Sequence, residues 1–277
     1  MTNFRIGELD VCCVSDGILK SSVDFILGME REDALPISGA EPDGTLPIPV
    51  NNFVFRRDGA TMLIDAGAGN TMQPTLGRLP DELRKAGHAP EAITHVILTH
   101  LHSDHANGLV DDAGAPVFPN AELLVHTQEH EFWVRPNDGS ESASVLRTRA
   151  RNKINLAPYE KRIRLMRDGE SLLGCSPMLA PGHSPGHTCW KVETGATAML
   201  AWGDLVHFST VQISHPRTAV RYDLDPDRAR QSRLSFLEMA ARDRLLIAGA
   251  HVAAPGLGHV SRTAGGYAFE PLSPVSA

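Results

Sequence analysis

Long apolar runs are missing from these 277 residues, and nothing approaches the ~20 consecutive apolar positions that a membrane-spanning helix requires. Residues Met1 to Asp10 lack a basic stretch followed by an apolar one, so no secretory leader is read and a cytoplasmic setting is expected. Cysteine is scarce: Cys12, Cys13, Cys175 and Cys189 make no CxxC pair and none is spaced to join a metal site. This excludes a disulfide framework and leaves reduced, core-type thiols. Positive charge is outnumbered, with 26 Lys and Arg against 33 Asp and Glu, for a net charge of −7. Phosphate backbones and anionic surfaces demand clustered cations, so neither nucleic acid nor membrane is the expected partner. Aromatics are only 5% of the chain, so one beside a motif is worth weighing as a pocket wall. Repeats and low-complexity tracts are absent. A hydrophobic content of 42% suits a sizeable core, and this length allows one large or two small domains.

Histidine is what the chain has, 13 in all, and its densest run is Thr99 to Gly108, THLHSDHANG. His100, His102, Asp104 and His105 crowd into six residues there, after an apolar strand at 94–98. Extended backbone projects residues two apart from one face, so His100, His102 and Asp104 converge. Imidazoles and a carboxylate held this close suit a divalent cation such as zinc. Further candidates stand at strand ends beside glycine: His183 in APGHSPGH, Asp204 in WGD and His251 in GAH. Five histidines and two aspartates are too many for one zinc, which takes four ligands. The number suits two metal ions sharing a carboxylate.

The surrounding pattern reads as strands and turns in two halves, each closed by helices. A strand is predicted over 4–15, ending in a turn at Asp16-Gly17, and a hairpin over 50–57 and 61–65 around Asp58-Gly59. Residues 21–49, with Pro36, Pro42, Pro47 and Pro49, are predicted as an irregular lid. Helices are predicted from about Thr75 to Ala86, over 127–133 and 142–155, and from the Asp225-Pro226 cap to about Arg242. Short strands fill 122–126, 161–202 and 244–250. Two sheets with helices outside give an α/β sandwich rather than a doubly wound parallel sheet.

The set HxHxDH, Pro-Gly-His, Gly-Asp and a late His resembles the metallo-β-lactamase superfamily over nearly the whole chain. The stretches LIDAGAGNTMQPTLGRLPDEL, VFPNAELLVHTQEHEFW, AWGDLVH and AHVAAPGLGHV are most similar to its methyl parathion hydrolase-like and lactonase branch. The resemblance implies an αβ/βα four-layer sandwich of two mixed β-sheets flanked by helices, as a single domain over 1–277. It implies one metal on His100, His102 and His183, a second on Asp104, His105 and His251, and Asp204 between them. Zinc is the first expectation, with iron, manganese or cobalt as alternatives. Asp65 matches a position that supports the ligands from behind by fixing a histidine tautomer. His187 is assigned to the same kind of support, and His259 is a weaker candidate for it.

The resemblance further implies a binuclear hydrolase whose bridged hydroxide cleaves an ester-type bond in a lactone, aryl ester or phosphotriester. Asp104 or Asp204 would handle the leaving-group proton. His207 stands where lactonases of this superfamily carry a tyrosine that hydrogen-bonds the substrate oxygen. Phe53, Trp133 and Phe208 are candidate pocket walls, Trp133 matching an aromatic position of the methyl parathion hydrolase-like proteins. Few Lys or Arg lie near the motifs, which suits a neutral small-molecule ester or lactone. The resemblance also allows a homodimer. Two readings of other classes stand beside it: an iron-dependent redox enzyme on the same ligand set, and a binding protein without catalysis.

Overall fold

The computed structural model describes residues 1–136, 139, 141–195 and 197–273. The chain opens with β1 (Thr2–Ile6) and β2 (Leu9–Ser22), then β3 (Ile26–Leu27), α1 (Arg31–Ser38), β4 (Thr45–Arg57) and β5 (Ala60–Ile64). Next come α2 (Leu79–Lys85), β6 (His95–Ile97), α3 (Ser103–Ala106), β7 (Glu122–His126), α4 (Thr127–Val134), α5 (Ala143–Leu156) and β8 (Ile163–Met166). The later half adds β9 (Cys175–Leu179), β10 (Thr188–Glu193), β11 (Ala198–Ala201), α6 (Ser209–Gln212) and β12 (Ala219–Val220). It ends with α7 (Pro226–Asp243), β13 (Leu246–Ala248), β14 (Leu257–Arg262) and β15 (Tyr267–Pro271). One seven-stranded sheet runs β1-β2-β4-β5-β6-β7-β8 and a six-stranded sheet runs β15-β14-β13-β11-β10-β9. Both are mixed: β5 to β8 are parallel neighbours in the first, and β11 and β13 in the second. No helix among the described residues is long and apolar enough to cross a membrane.

Side-chain alternation along the strands builds the four layers. In β5, Met62 and Ile64 face the other sheet, while Leu63 faces the helices. In β11, Met199 and Ala201 face inward and Leu200 faces α7. The inner layer is closed by Phe4, Phe55, Leu124 and Trp190, all buried. Leu79 and Leu83 of α2, with Val145 and Leu156 of α5, cover the outer face of the first sheet. Leu237 and Ala240 of α7 cover the second. The α/β sandwich read from the sequence is the observed architecture.

Three local expectations fail. The strand predicted over 4–15 is a hairpin, because the chain reverses at Gly7, in the left-handed region at φ 55°. A Cβ there would lie 1.8 Å from Thr194 O. Asp16-Gly17 is not a turn; β2 continues through it with a shift of register against β4 between Ser15 and Gly17. Residues 21–49 are not an irregular lid. They finish β2, form β3 and α1, and begin β4, packing Val23, Ile26, Ala34, Leu46 and Ile48 against Phe208, Val211 and Val220. The prolines mislead because β5 pairs only with Phe53 to Arg57 of β4. Pro47 and Pro49 pair with β2 alone, on a stretch with one free edge, where a missing N–H is tolerated.

Candidate metal centre

The ends of five segments meet at one edge of the two sheets. β6 leads into the loop carrying His100 to His105, and parallel β5 beside it leads to Asp65. From the second sheet, β9 leads to the His183 turn, β11 to Asp204 and β13 to His251. His100 and His102 come from extended backbone and their ring centroids lie 4.8 Å apart, as alternation predicts. Asp104 and His105 differ from that expectation: they belong to the single turn of α3, which swings them toward His251.

Among the described residues, three groups of donors have ligand atoms within 4.8 Å of one another: His183 with His207 and Asp223, and two that share Asp204, namely His100, His102, His183 and Asp204, and Asp104, His105, Asp204 and His251. Asp204 divides its carboxylate between the latter two. Its Oδ2 lies 3.1 Å from His183 Nε2 and 3.6 Å from His100 Nε2. Its Oδ1 lies 2.8 Å from His105 Nε2 and 3.1 Å from His251 Nε2. Asp104 Oδ2 stands 3.5 Å from both His105 Nε2 and His251 Nε2.

The donors fit cations better than they fit each other. His105 Nε2, His251 Nε2 and Asp204 Oδ1 are buried and find no hydrogen-bond geometry despite their closeness. His183 Nε2 lies 2.6 Å from His102 Nδ1 and 3.1 Å from His100 Nε2, so basic ring nitrogens point at one another. Burial, then the neighbouring imidazoles, hold His100 and His102 well below the ordinary histidine pKa, in the neutral form a metal needs. Burial opposes ionisation of Asp204, but His105, His207 and His251 override it and keep its carboxyl well below the usual range.

The outward nitrogens are held in place. His105 Nδ1 donates to Asp65 Oδ2 at 2.8 Å, His183 Nδ1 to Asp223 Oδ1 at 3.1 Å and His251 Nδ1 to Pro49 O at 2.8 Å. Such contacts fix the tautomer and aim Nε2 inward. Asp65 sits at φ 58°, a left-handed position for a non-glycine, and also accepts from Thr99 N and Oγ1. His187 donates from Nδ1 to Ala180 O and accepts at Nε2 from Asp204 N, 2.9 Å away. It therefore pins the backbone of Asp204 while His183 points into the donor group. Gly203 is required beside it, because a Cβ would come within 2.8 Å of His187 Nε2 and Thr99.

A cleft of about 440 Å³ opens over these groups, with His102, Asp104, His183, Asp204 and His207 on its floor. Trp133 lines it, with its ring 5.4 Å from that of His102. Phe53 does not: it is buried between the sheets with Phe4 and Ile64. Phe208 is likewise buried, packed on Val23 and Val211. Phe25 and Tyr222 stand in the cleft instead. His259 is remote from the donors, with Nδ1 facing Leu245 O on β14. His207 Nε2 lies 2.8 Å from Asp204 Oδ2 but outside hydrogen-bond geometry.

The sequence profile of the metallo-beta-lactamase superfamily matches residues 45–251. The chain belongs to the metallo-β-lactamase superfamily. Among curated superfamily relatives, N-acyl homoserine lactonase AiiA of Bacillus thuringiensis subsp. kurstaki is 24% identical over 176 residues, 57% of this chain. The match spans 63% of that relative's length. Among solved structures, the hydrolase AbOPH in the beta lactamase superfamily superimposes with a TM-score of 0.94 at 28% identity, covering 99% of this chain and 98% of that one. AidC, a dizinc quorum-quenching lactonase in complex with a homoserine product, gives 0.88 at 26% identity over 99% and 98% of the two chains. The metallo-β-lactamase fold thus accounts for essentially the whole described chain.

Sequence reasoning missed Asp223, Glu129 and Tyr222. Asp223 lies in YDLDP and Glu129 in TQEHEF, where a carboxylate that ends up buried looks like any surface one. Only the packing of α4 and α7 against the loops separates them.

Proposed function

We propose that this chain is a metal-dependent hydrolase of an uncharged ester-type bond, with lactones as the leading substrate class. One observation carries the reading: the two oxygens of Asp204 face separate histidine groups on the floor of a cleft with Phe25, Trp133 and Leu224 in its walls. His100, His102 and His183 would hold one divalent ion, Asp104, His105 and His251 another, and Asp204 both. Zinc is the first choice for such a nitrogen-rich donor set. When bound, such ions supply Lewis acidity, polarising a carbonyl oxygen and acidifying water.

The remaining work falls to the chain's own groups. The apolar walls take up the substrate's hydrocarbon and exclude water from the reacting end. His207, neutral because burial pushes its pKa down, donates a hydrogen bond to the substrate oxygen. Asp104 lines the cleft and carries the leaving-group proton, since the oxygens of Asp204 are taken up by the histidines. N-acyl homoserine lactones are the first substrates to assay, because the curated relatives and AidC are named for them.

The test is elemental analysis of the purified protein, together with hydrolysis of N-acyl homoserine lactones, γ- and δ-lactones, p-nitrophenyl acetate and a phosphotriester. About two divalent ions per chain with lactone turnover is the expected result. Turnover confined to the phosphotriester would move the substrate class. A metal-free protein inert toward the whole panel would overturn the proposal.

A further inference from the structure

One fully buried carboxylate touches none of the candidate ligands. Glu129 stands on the first turn of α4 with no exposed surface. Its Oε1 accepts from Leu101 N at 2.8 Å and from Trp133 Nε1 at 2.7 Å. Its Oε2 accepts from Ser184 Oγ at 2.6 Å and from Gly186 N at 3.1 Å. Four donors fill the acceptor sites of an ionised carboxylate, and none of them is charged.

The places of those donors matter. Leu101 is the residue between His100 and His102, Ser184 follows His183, and Gly186 precedes His187. Trp133 is the cleft wall that packs on His102. Gly186 approaches α4 so closely that a Cβ would lie 2.0 Å from Glu129 N. One side chain therefore bolts the loop from the first sheet to the turn from the second, on the three-histidine side only. Asp104, His105 and His251 have no bond to it; their anchors are Asp65 and the Pro49 carbonyl.

We infer that Glu129 is a positioning residue that sets the spacing of His100, His102 and His183, so that its loss weakens one metal ion and leaves the other. The inference rests on the metal reading above, and the wild-type arm of its test separates the two. The alternative is a carboxylate that serves only to fill the core, whose loss would affect both ions and the fold together.

The experiment is competition titration of zinc against a chromophoric chelator for the wild type, Glu129→Gln and Asp65→Asn, with far-UV circular dichroism on each. Glutamine keeps the shape but turns an amide NH2 toward donors, and the N–H groups of Leu101, Trp133 and Gly186 cannot reverse their role. Contacts that hydrogen-bond a ligand directly are worth about 10–100-fold in metal affinity, and Glu129, one residue further out, belongs at about the tenfold end. The expected result is two zinc ions in the wild type, and one of two affinities lowered by about that factor in Glu129→Gln. Asp65→Asn removes the partner of His105 Nδ1 and weakens chiefly the other ion, with a smaller effect through Thr99 beside His100. Unchanged affinities in folded Glu129→Gln, or an equal fall in both, would overturn the inference. If Glu129→Gln does not fold, Ser184→Ala, which removes one donor and keeps the carboxylate, must show the same one-sided loss, and a wild-type affinity there also overturns it. A wild type that binds no zinc ends the metal reading itself.

Discussion

Asp204 is the residue on which the site turns, because its two oxygens face the two four-donor clusters. Its surroundings explain why two further histidines need different tests. His207 reaches Asp204 Oδ2 at 2.8 Å, yet both its ring nitrogens are buried without hydrogen bonds and it sits on the cleft floor. On the proposed reading a group so placed serves a substrate, although it also stands within 4.8 Å of donors on His183 and Asp223. His207→Ala should keep both ions by elemental analysis while turnover falls by about 100-fold, the low end for one hydrogen-bond donor aimed at a reacting oxygen. Loss of an ion in that variant would make His207 a ligand instead. His187 is the opposite case, satisfied on both nitrogens. Burial, then the charge on His183, pushes its pKa from 6.5 down to about 3. At this residue the folded chain therefore binds fewer protons than the unfolded one below pH 6.5. The sign is that the contribution of His187 is constant above that value and declines as pH falls toward 3. His187→Gln, which can donate and accept at the same places, should flatten the acid limb by up to about 1.4 kcal/mol per pH unit. Denaturant midpoints measured from pH 7 to pH 4 on both proteins check it, and parallel curves would refute the assignment.

At the scale of elements, α7 shows how directly local chemistry fixes a boundary. Asp225 accepts from Arg228 N, Pro226 occupies the first turn, and Arg244 ends the helix in the left-handed region at φ 51°. Asp225→Ala should cost about 1 kcal/mol, which for a chain of this size is about 2–4 °C in melting temperature, with metal content unchanged. Calorimetry measures it, and no shift would mean that the packing of Leu237 and Ala240 alone holds the helix. That helix, the β4–β5 hairpin and the histidine loop were legible in the sequence because each is specified within a few residues. The β1–β2 hairpin was not, since only a one-residue slip in the apolar alternation, between Ile6 and Leu9, marks the reversal at Gly7. Nor was the inward face of Phe53: β4 is buried on both sides there, and alternation cannot say which layer is the cleft. Asp223 and Glu129 stayed hidden for a related reason. Their burial depends on loops tens of residues away, not on their neighbours in sequence.

Across the whole molecule, the donors divide by sheet. His100, His102, Asp104 and His105 hang from the first sheet, whereas His183, Asp204 and His251 hang from the second. Each of the two groups that share Asp204 takes members from both, so an ion at either place would tie the two halves of the sandwich together. Ring nitrogens face one another at 2.6 and 3.1 Å and several buried donors and acceptors go unpaired, contacts that cations between them would relieve. The unfolded chain offers no such assembled site, so ions act on the folded state by mass action. At free zinc a thousandfold above the dissociation constant, one site contributes about 4 kcal/mol. The chelator-treated chain should accordingly melt lower by on the order of 10 °C, and added zinc should restore the difference. The recovery should be graded with zinc concentration and should fail in Asp204→Asn, which removes the shared carboxylate while leaving every strand in place. Calorimetry of the stripped, reloaded and variant proteins decides the matter. An unchanged melting temperature on stripping would mean that the sandwich carries these buried groups unaided, and that the ions do not join its halves.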